Sequence, residues 1–217
     1  MQMASKLFLV FLLVTALVIS YESLFYQDSK TTAINSLGII GFILLCASLM
    51  IGPLAVMWPK TYAQLIEPRR AIGLAAFIFA GMHTVIAIWL IFGWNLGPLF
   101  SYAPLMVAVP ATLILLILAL TSNDYSFSKL GAGTWKNIQR LNYALFILSS
   151  AHFILEARGL FASVNGKVFL DLNELLALML LIATVLLQIA GYSRKRAQLE
   201  RKSEPQPVAG EESKSGT

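Results

Sequence analysis

Ala71–Asn123, AIGLAAFIFAGMHTVIAIWLIFGWNLGPLFSYAPLMVAVPATLILLILALTSN, runs 53 residues without one Asp, Glu, Lys or Arg. As a single helix it would be about 80 Å long, against about 30 Å of hydrocarbon in a bilayer. It therefore reads as two membrane spans, Ala71–Trp94 and Ala103–Thr121. They part at Gly93-Trp94-Asn95-Leu96-Gly97-Pro98, a turn sequence with an interfacial tryptophan.

The rest of the 217 residues follows the same logic. Hydrophobic residues make up 58% and charged residues 12%, with a mean hydropathy of +0.74. That is half the charge of a soluble domain, which excludes a water-soluble fold of this size. Further spans are expected at Leu7–Phe25, Leu37–Trp58, Asn137–Leu155 and Leu175–Tyr192. The expected fold is an all-α, integral membrane six-helix bundle over residues 1–192, followed by a tail over 193–217. Met1–Lys6 and Leu7–Ile19 have the outline of a secretory signal, but Ser20-Tyr21-Glu22-Ser23-Leu24 has no small-x-small cleavage site. The segment is expected to remain as the first span. Pro53 and Pro110 fall inside spans, where neighbouring helices must satisfy the carbonyls they free.

Charge gives the orientation. Lys6, Lys60, Arg69, Arg70, Lys129, Lys136, Arg140, Arg194, Lys195, Arg196, Arg201, Lys202 and Lys214 lie on one side, in the loops Pro59–Arg70 and Ser122–Arg140 and at the two ends. Lys30, Arg158 and Lys167 lie on the other. By the positive-inside rule both termini are cytoplasmic, and the protein is a multi-pass protein of the cell inner (plasma) membrane. The same placement explains the net charge of +5 and pI near 9.4 without a nucleic-acid partner. Ser193–Lys202 reads as a basic juxtamembrane segment, a short helix on anionic lipid, and Ser203–Thr217 as disordered. The lone Cys46 excludes a disulfide framework, a zinc ribbon and a thiolate iron–sulfur cluster.

His83 and His152 are the two histidines. An ionisable group inside a span is costly and is a functional candidate for that reason. His83 lies thirteen residues beyond Arg70 and His152 twelve beyond Arg140, so both sit about 18–20 Å from their basic anchors. Two neutral imidazoles at one depth suit axial coordination of a haem iron, whereas zinc wants three or four ligands. On span three Gly73, Ala76, Ala80, His83 and Ala87 form one stripe at 3-4-3-4 spacing. Small residues there either leave room for a flat macrocycle or let two helices pack closely. On span five Asn142, Ser149, His152 and Glu156 share a face, and Ser149 or a backbone carbonyl would orient the ring. Glu156 is only one turn past His152, so span five is expected to reach Phe161 or Ala162, with Glu156 and Arg158 in an outer mouth.

Glu67-Pro68-Arg69-Arg70-Ala71-Ile72-Gly73-Leu74 with His83 nine residues on resembles the ferric reductase-like transmembrane family. So does Leu120-Thr121-Ser122, then Lys129-Leu130-Gly131, Trp135 and Gln139-Arg140-Leu141-Asn142-Tyr143, followed by His152. Within that family the pattern is similar to the haem-binding membrane subunits of periplasmic methionine sulfoxide reductase systems. The resemblance covers roughly Trp58–Arg158. It departs where the family carries a further histidine at the cytoplasmic end of span five, because that position is Gln139 here. Its counterpart on span three falls at Arg69 or Arg70. Neither side chain is a normal axial ligand, so an inner bis-histidine haem is excluded and one outer haem b remains.

The resemblance implies an electron-transfer subunit. Electrons would come from membrane quinol or a cytoplasmic flavin reductase and leave to an outer-face redox acceptor. With no nucleotide-binding fingerprint in the sequence, NAD(P)H chemistry falls to a partner. FMN or quinone would sit at the cytoplasmic end near Arg69, Arg70, Trp135, Gln139 and Arg140, residues that lipid phosphate would equally occupy. The competing class is a non-redox scaffold or small-solute carrier with degenerate haem sites.

Overall fold

The computed structural model describes residues 14–15, 17–20, 29–66, 68–156, 161–164 and 167–203. The helix α1, Ser29–Met57, is apolar on every side and takes the middle of the bundle, with Ile39, Ile40, Phe42, Leu45, Cys46 and Leu49 buried. It begins eight residues before the expected Leu37. The polar entry Ser29–Ser36 continues the same hydrogen-bond ladder. Against α1 pack α2, Arg69–Leu90, and α6, Leu172–Ser203, while α3, Ala103–Thr121, pairs with α5, Leu141–Glu156. Phe42 joins the two groups by stacking on Phe146 and Phe153, with ring centres 6.4 and 5.3 Å apart.

Close approach of α1 and α2 is written in glycine. A methyl group at Gly41 would lie 3.1 Å from the Ala80 backbone nitrogen, and one at Gly73 would lie 3.5 Å from Ser48 Oγ. α1 and α6 are joined through a proline. Pro53 has no N–H, so the Leu49 carbonyl four residues back loses its helical donor. Gln188 of α6 replaces it, donating from Nε2 at 2.8 Å, and the Pro53 ring sits against Gly191.

Long apolar side chains line the outside. On α2, Leu74, Ile78, Met82, Val85 and Trp89 recur once per turn and all are exposed. Among the described residues, four helical stretches are long and apolar enough to cross a membrane: Lys30–Met57, Arg69–Leu90, Ala103–Thr121 and Leu172–Arg201. A ring of lipid-facing side chains around several such helices is the surface of a multi-pass membrane protein. The predicted span Ala103–Thr121 matches its helix at both ends. Of the predicted Leu7–Phe25, residues 14–15 and 17–20 are described and helical, with Val18 packed on Ile39 and Ile40. The remainder of that segment lies outside the described residues.

Several boundaries differ from expectation. The third span ends at Leu90 rather than Trp94, because Gly93 and Trp94 adopt positive φ values of 53° and 65°. Ser122–Arg140, expected as a loop, is largely the helix α4, Asp124–Gln139. Asn123 caps it by accepting the Ser126 N–H at 2.7 Å, and Gly131 (φ 72°, ψ 158°) breaks it midway. The helix expected as the fifth span therefore starts at Leu141 instead of Asn137, and its 16 residues rise about 24 Å.

Nor does α5 continue to Phe161 or Ala162. Phe161–Val164 pairs antiparallel with Lys167–Leu170, in the register Phe161↔Leu170 and Val164↔Lys167. This hairpin is an addition to an otherwise helical fold. Ser193–Lys202 is not a separate surface helix. α6 runs through it unbroken, since Arg, Lys, Ala, Gln, Leu and Glu all favour helix and Arg196 pairs with Glu200 at 3.0 Å. The expected disordered tail falls outside the described residues beyond Ser203.

Candidate functional site

α2 and α5 each carry one histidine, and each packs along a different partner while scarcely meeting the other. His83 and His152 face one another across that seam with ring centres 6.3 Å apart and planes crossed at 66°. The matched depth expected from the two basic anchors is thus realised as direct juxtaposition.

Backbone oxygen fixes both rings. His83 Nδ1 lies 2.8 Å from the Ile34 carbonyl of α1, and His152 Nδ1 lies 3.1 Å from the Pro104 carbonyl of α3. A carbonyl only accepts, so each Nδ1 bears a proton, and Nε2 is the ring nitrogen left for a further partner. Of the two orienting partners left open for His152, the backbone carbonyl fills the role, rather than Ser149. The stripe on α2 resolves in the same way. Gly73, Ala76 and Ala80 face α1 at close range, so their smallness serves helix packing.

A metal–imidazole bond is about 2 Å long and a ring centre lies about 1 Å behind its nitrogen, so two imidazoles on opposite sides of one metal have centres about 6 Å apart. At that separation, with Nδ1 of each ring tied to a carbonyl, His83 and His152 would suit holding a haem iron between them. Among the described residues no group of three or more His, Cys, Asp or Glu could hold a metal ion.

One end of the α3–α5 pair carries Tyr102, two residues before Pro104, beside Glu156, one turn past His152. The Glu156 charge, then desolvation and the hydrogen bond between the two side chains, holds the Tyr102 phenol above its ordinary range.

At the opposite end the five residues singled out for an FMN or quinone separate into three groups. Arg70, Trp135 and Gln139 converge on the C-terminus of α3. Trp135 Nε1 donates to the Thr121 carbonyl at 2.9 Å, Arg70 Nε to the Ser122 carbonyl at 2.7 Å, and Gln139 Nε2 to Thr121 Oγ1 at 3.2 Å. The Trp135 and Arg70 contacts satisfy carbonyls that every helix end leaves open. Arg70 also pairs with Asp124 at 2.7 Å. Arg69 turns the other way and donates from Nε to the Ser48 carbonyl of α1 at 2.9 Å. Arg140 bonds only locally, to Asn137 Oδ1 at 2.9 Å.

Sequence reasoning missed Ile34, Pro104 and Gly38, which borders the His83 ring. One signal was present. Gly38, Gly41, Ser48 and Gly52 recur on one face of α1, the complement of the small stripe on α2.

Comparison with known proteins bears on the same helices. Residues 37–150 match the family described as ferric reductase like transmembrane component, a span that holds His83 and stops two residues short of His152. The chain is 32% identical over 128 residues to the protein-methionine-sulfoxide reductase heme-binding subunit MsrQ of Agrobacterium fabrum, covering 57% of this chain and 58% of that protein. MsrQ of Brucella melitensis biotype 2 is 33% identical over 135 residues, 60% of each. The magnetosome protein MamZ of Magnetospirillum gryphiswaldense is 34% identical over 98 residues, 43% of this chain and 15% of that longer protein. The matches thus span about 60% or less of these curated relatives.

Proposed function

The chain belongs to the ferric reductase like transmembrane component family, and from that premise we propose that it is a membrane cytochrome of the b type, an electron-transfer subunit with one haem held between His83 and His152. The facing imidazole pair, 6.3 Å between ring centres, carries this reading. The relatives named as heme-binding subunits of a methionine sulfoxide reductase support it. Bound haem supplies a reversible one-electron iron couple. The protein supplies the two ligands, carbonyls that hold each ring in the tautomer with Nε2 free, and an apolar setting between α2 and α5.

The same reading makes residues 1–192 a six-span domain in the inner membrane, with residues 193–217 and both termini in the cytoplasm. His83 and His152 then lie in the outer half, within reach of an outer-face acceptor. The relatives' name points to a methionine sulfoxide reductase in that role. A second, inner haem finds no support, since Arg69 and Gln139 are hydrogen-bonded to Ser48 and Thr121.

Full-length protein purified after expression with ample haem is expected to show a Soret band that shifts on reduction. A pyridine haemochrome assay should give one haem b per chain. A colourless protein would hand the fold to the non-redox scaffold or solute-carrier reading.

Electrons entering from the cytoplasm must cross about 18–20 Å along α2 or α5 to reach the histidines. Tunnelling decays exponentially over such a length, so a flavin or quinone beside Arg70 or Arg140 would bridge it, Arg69 being turned away onto Ser48. Arginine suits either group, gripping a flavin phosphate or polarising a quinone carbonyl. Replacing Arg70 and Arg140 together by Gln is expected to slow haem reduction by the physiological donor, with the haem spectrum and dithionite reduction unchanged. Asp124→Asn, which removes the ion pair but keeps both cations, should retain the parental rate. Equal rates in all three proteins would leave the arginines as helix caps and lipid anchors.

A further inference from the structure

The His83 ring is held from the side of α1, and the contact has an unusual feature. Its Nδ1 reaches the Ile34 carbonyl at 2.8 Å, an oxygen in the first turns of a helix. In the helical ladder that carbonyl points toward the residue four positions on, which is Gly38. A methyl group built there would lie 3.0 Å from His83 Nδ1, 3.1 Å from Cε1 and 3.5 Å from Cγ. Any side chain at 38 therefore stands where the imidazole passes on its way to the oxygen.

From this we infer that Gly38 is a positioning residue for the His83 ligand: its bare backbone opens the Ile34 carbonyl to the ring, and so fixes the tilt and electron donation of one of the two imidazoles. The role rests on the cytochrome reading and adds to it a residue that touches neither iron nor substrate. Glycine inside a helix is destabilising relative to alanine, so its presence calls for a local reason. Two neighbouring glycines separate that reason from plain packing. Gly41, one turn along the same face, meets the Ala80 backbone rather than a ring. Gly81, two residues from His83 on α2, has nothing within 4 Å of a built methyl group.

A hydrogen bond from Nδ1–H to a carbonyl makes an imidazole a stronger donor through Nε2 and favours the more positive, ferric iron. Alanine at 38 pushes the ring off the oxygen by a few tenths of an ångström and weakens that bond.

The test compares haem-loaded, full-length parent with Gly38→Ala, Gly41→Ala and Gly81→Ala. Haem retention in Gly38→Ala is expected to fall about 10-fold or more, and the haem that stays should shift toward the ferrous form at a fixed ambient potential. Gly41→Ala should lower thermal stability while keeping the parental ferric-to-ferrous ratio, and Gly81→Ala should match the parent in both. A parental ratio in Gly38→Ala, or an equal shift in Gly41→Ala, overturns the proposal.

Should Gly38→Ala fail to fold, a second experiment decides. In His83→Gly, free imidazole should restore the parental spectrum, because it can both bind iron and donate an N–H to Ile34. 1-Methylimidazole carries no such N–H and places a methyl group against Gly38, so it should not. Rescue by both compounds or by neither overturns the role of the carbonyl and Gly38. A parent chain that binds no haem at all fails differently, since it removes the cytochrome reading on which the role depends.

Discussion

His83→Ala and His152→Ala are each expected to lose haem almost completely, with retention down more than about 100-fold in either single variant. The estimate starts from the smaller effect of disturbing a ligand's outer partner, about 10–100-fold, and removing the ligand itself must exceed it. Neither change should unfold the protein. The buried core runs through Phe42, Leu45, Leu49, Ala76, Ala111, Leu118, Leu145, Phe146 and Ala177, and neither imidazole belongs to it. The carbonyls of Ile34 and Pro104 remain in helical ladders when the ring leaves, so no buried acceptor is orphaned. Haem per chain by pyridine haemochrome, set beside helix content and elution volume, separates loss of ligation from loss of fold. Parental haem content in either folded variant would show that the facing pair does not ligate iron. It would leave each ring as a hydrogen-bonded tie within its own helix pair, His83 between α2 and α1 and His152 between α5 and α3.

The fold was legible wherever hydrophobic length alone decides. Ala71–Asn123 had to contain two spans, and the break fell at the Gly-Trp-Asn-Leu-Gly-Pro turn, where Gly93 and Trp94 do take left-handed conformations. Ala103–Thr121 was readable to the residue because charge-free sequence and turn signals bound it at both ends. α4 was not, for the opposite reason. Asp124–Gln139 mixes three Ser and Thr, two glycines and two lysines with its apolar residues, so hydropathy alone presents it as a loop. Its cap, Asn123, was the overlooked signal. The hairpin had a signal too, since Asn165-Gly166 lies between two short runs rich in aromatic and β-branched residues, the commonest signature of a two-residue turn.

At the site, residue type and depth sufficed to pair the histidines, because a 1.5 Å rise per residue turns sequence spacing into depth. Which oxygen each ring reaches was not readable. That depends on how α1 crosses α2, where glycines on both helices set the approach, and on how α3 crosses α5. At the opposite end the chemistry-based choice of Arg69, Arg70, Trp135, Gln139 and Arg140 collected side chains that are rich in donors. Helix C-termini recruit donors as readily as cofactors do, and the Thr121–Ser122 end of α3 has three of them.

The second large effect is expected at the α1–α6 contact, and it can be dissected through Pro53. Gln188→Leu removes the donor to the Leu49 carbonyl and leaves a buried acceptor with no helical partner. An unsatisfied buried carbonyl costs about 1–3 kcal/mol, though interhelical hydrogen bonds within membranes average nearer 0.6 kcal/mol. Gly191→Ala acts by another route. Its methyl group would lie 2.8 Å from Pro53 Cβ and 3.0 Å from Cα, positions a rigid ring cannot vacate, so the helices must part. Overpacking of this kind costs about 1–3 kcal/mol. Pro53→Ala tells the two mechanisms apart. Alanine restores the N–H that the Leu49 carbonyl lacks, so Gln188→Leu in that background should cost less than about 0.5 kcal/mol. Cβ persists in alanine, however, and Gly191→Ala should remain destabilising there. Thermal unfolding of the single and double variants at equal haem content, read as a double-mutant cycle, measures both couplings. Additive costs for Pro53→Ala and Gln188→Leu would mean that the Leu49 carbonyl never depended on Gln188.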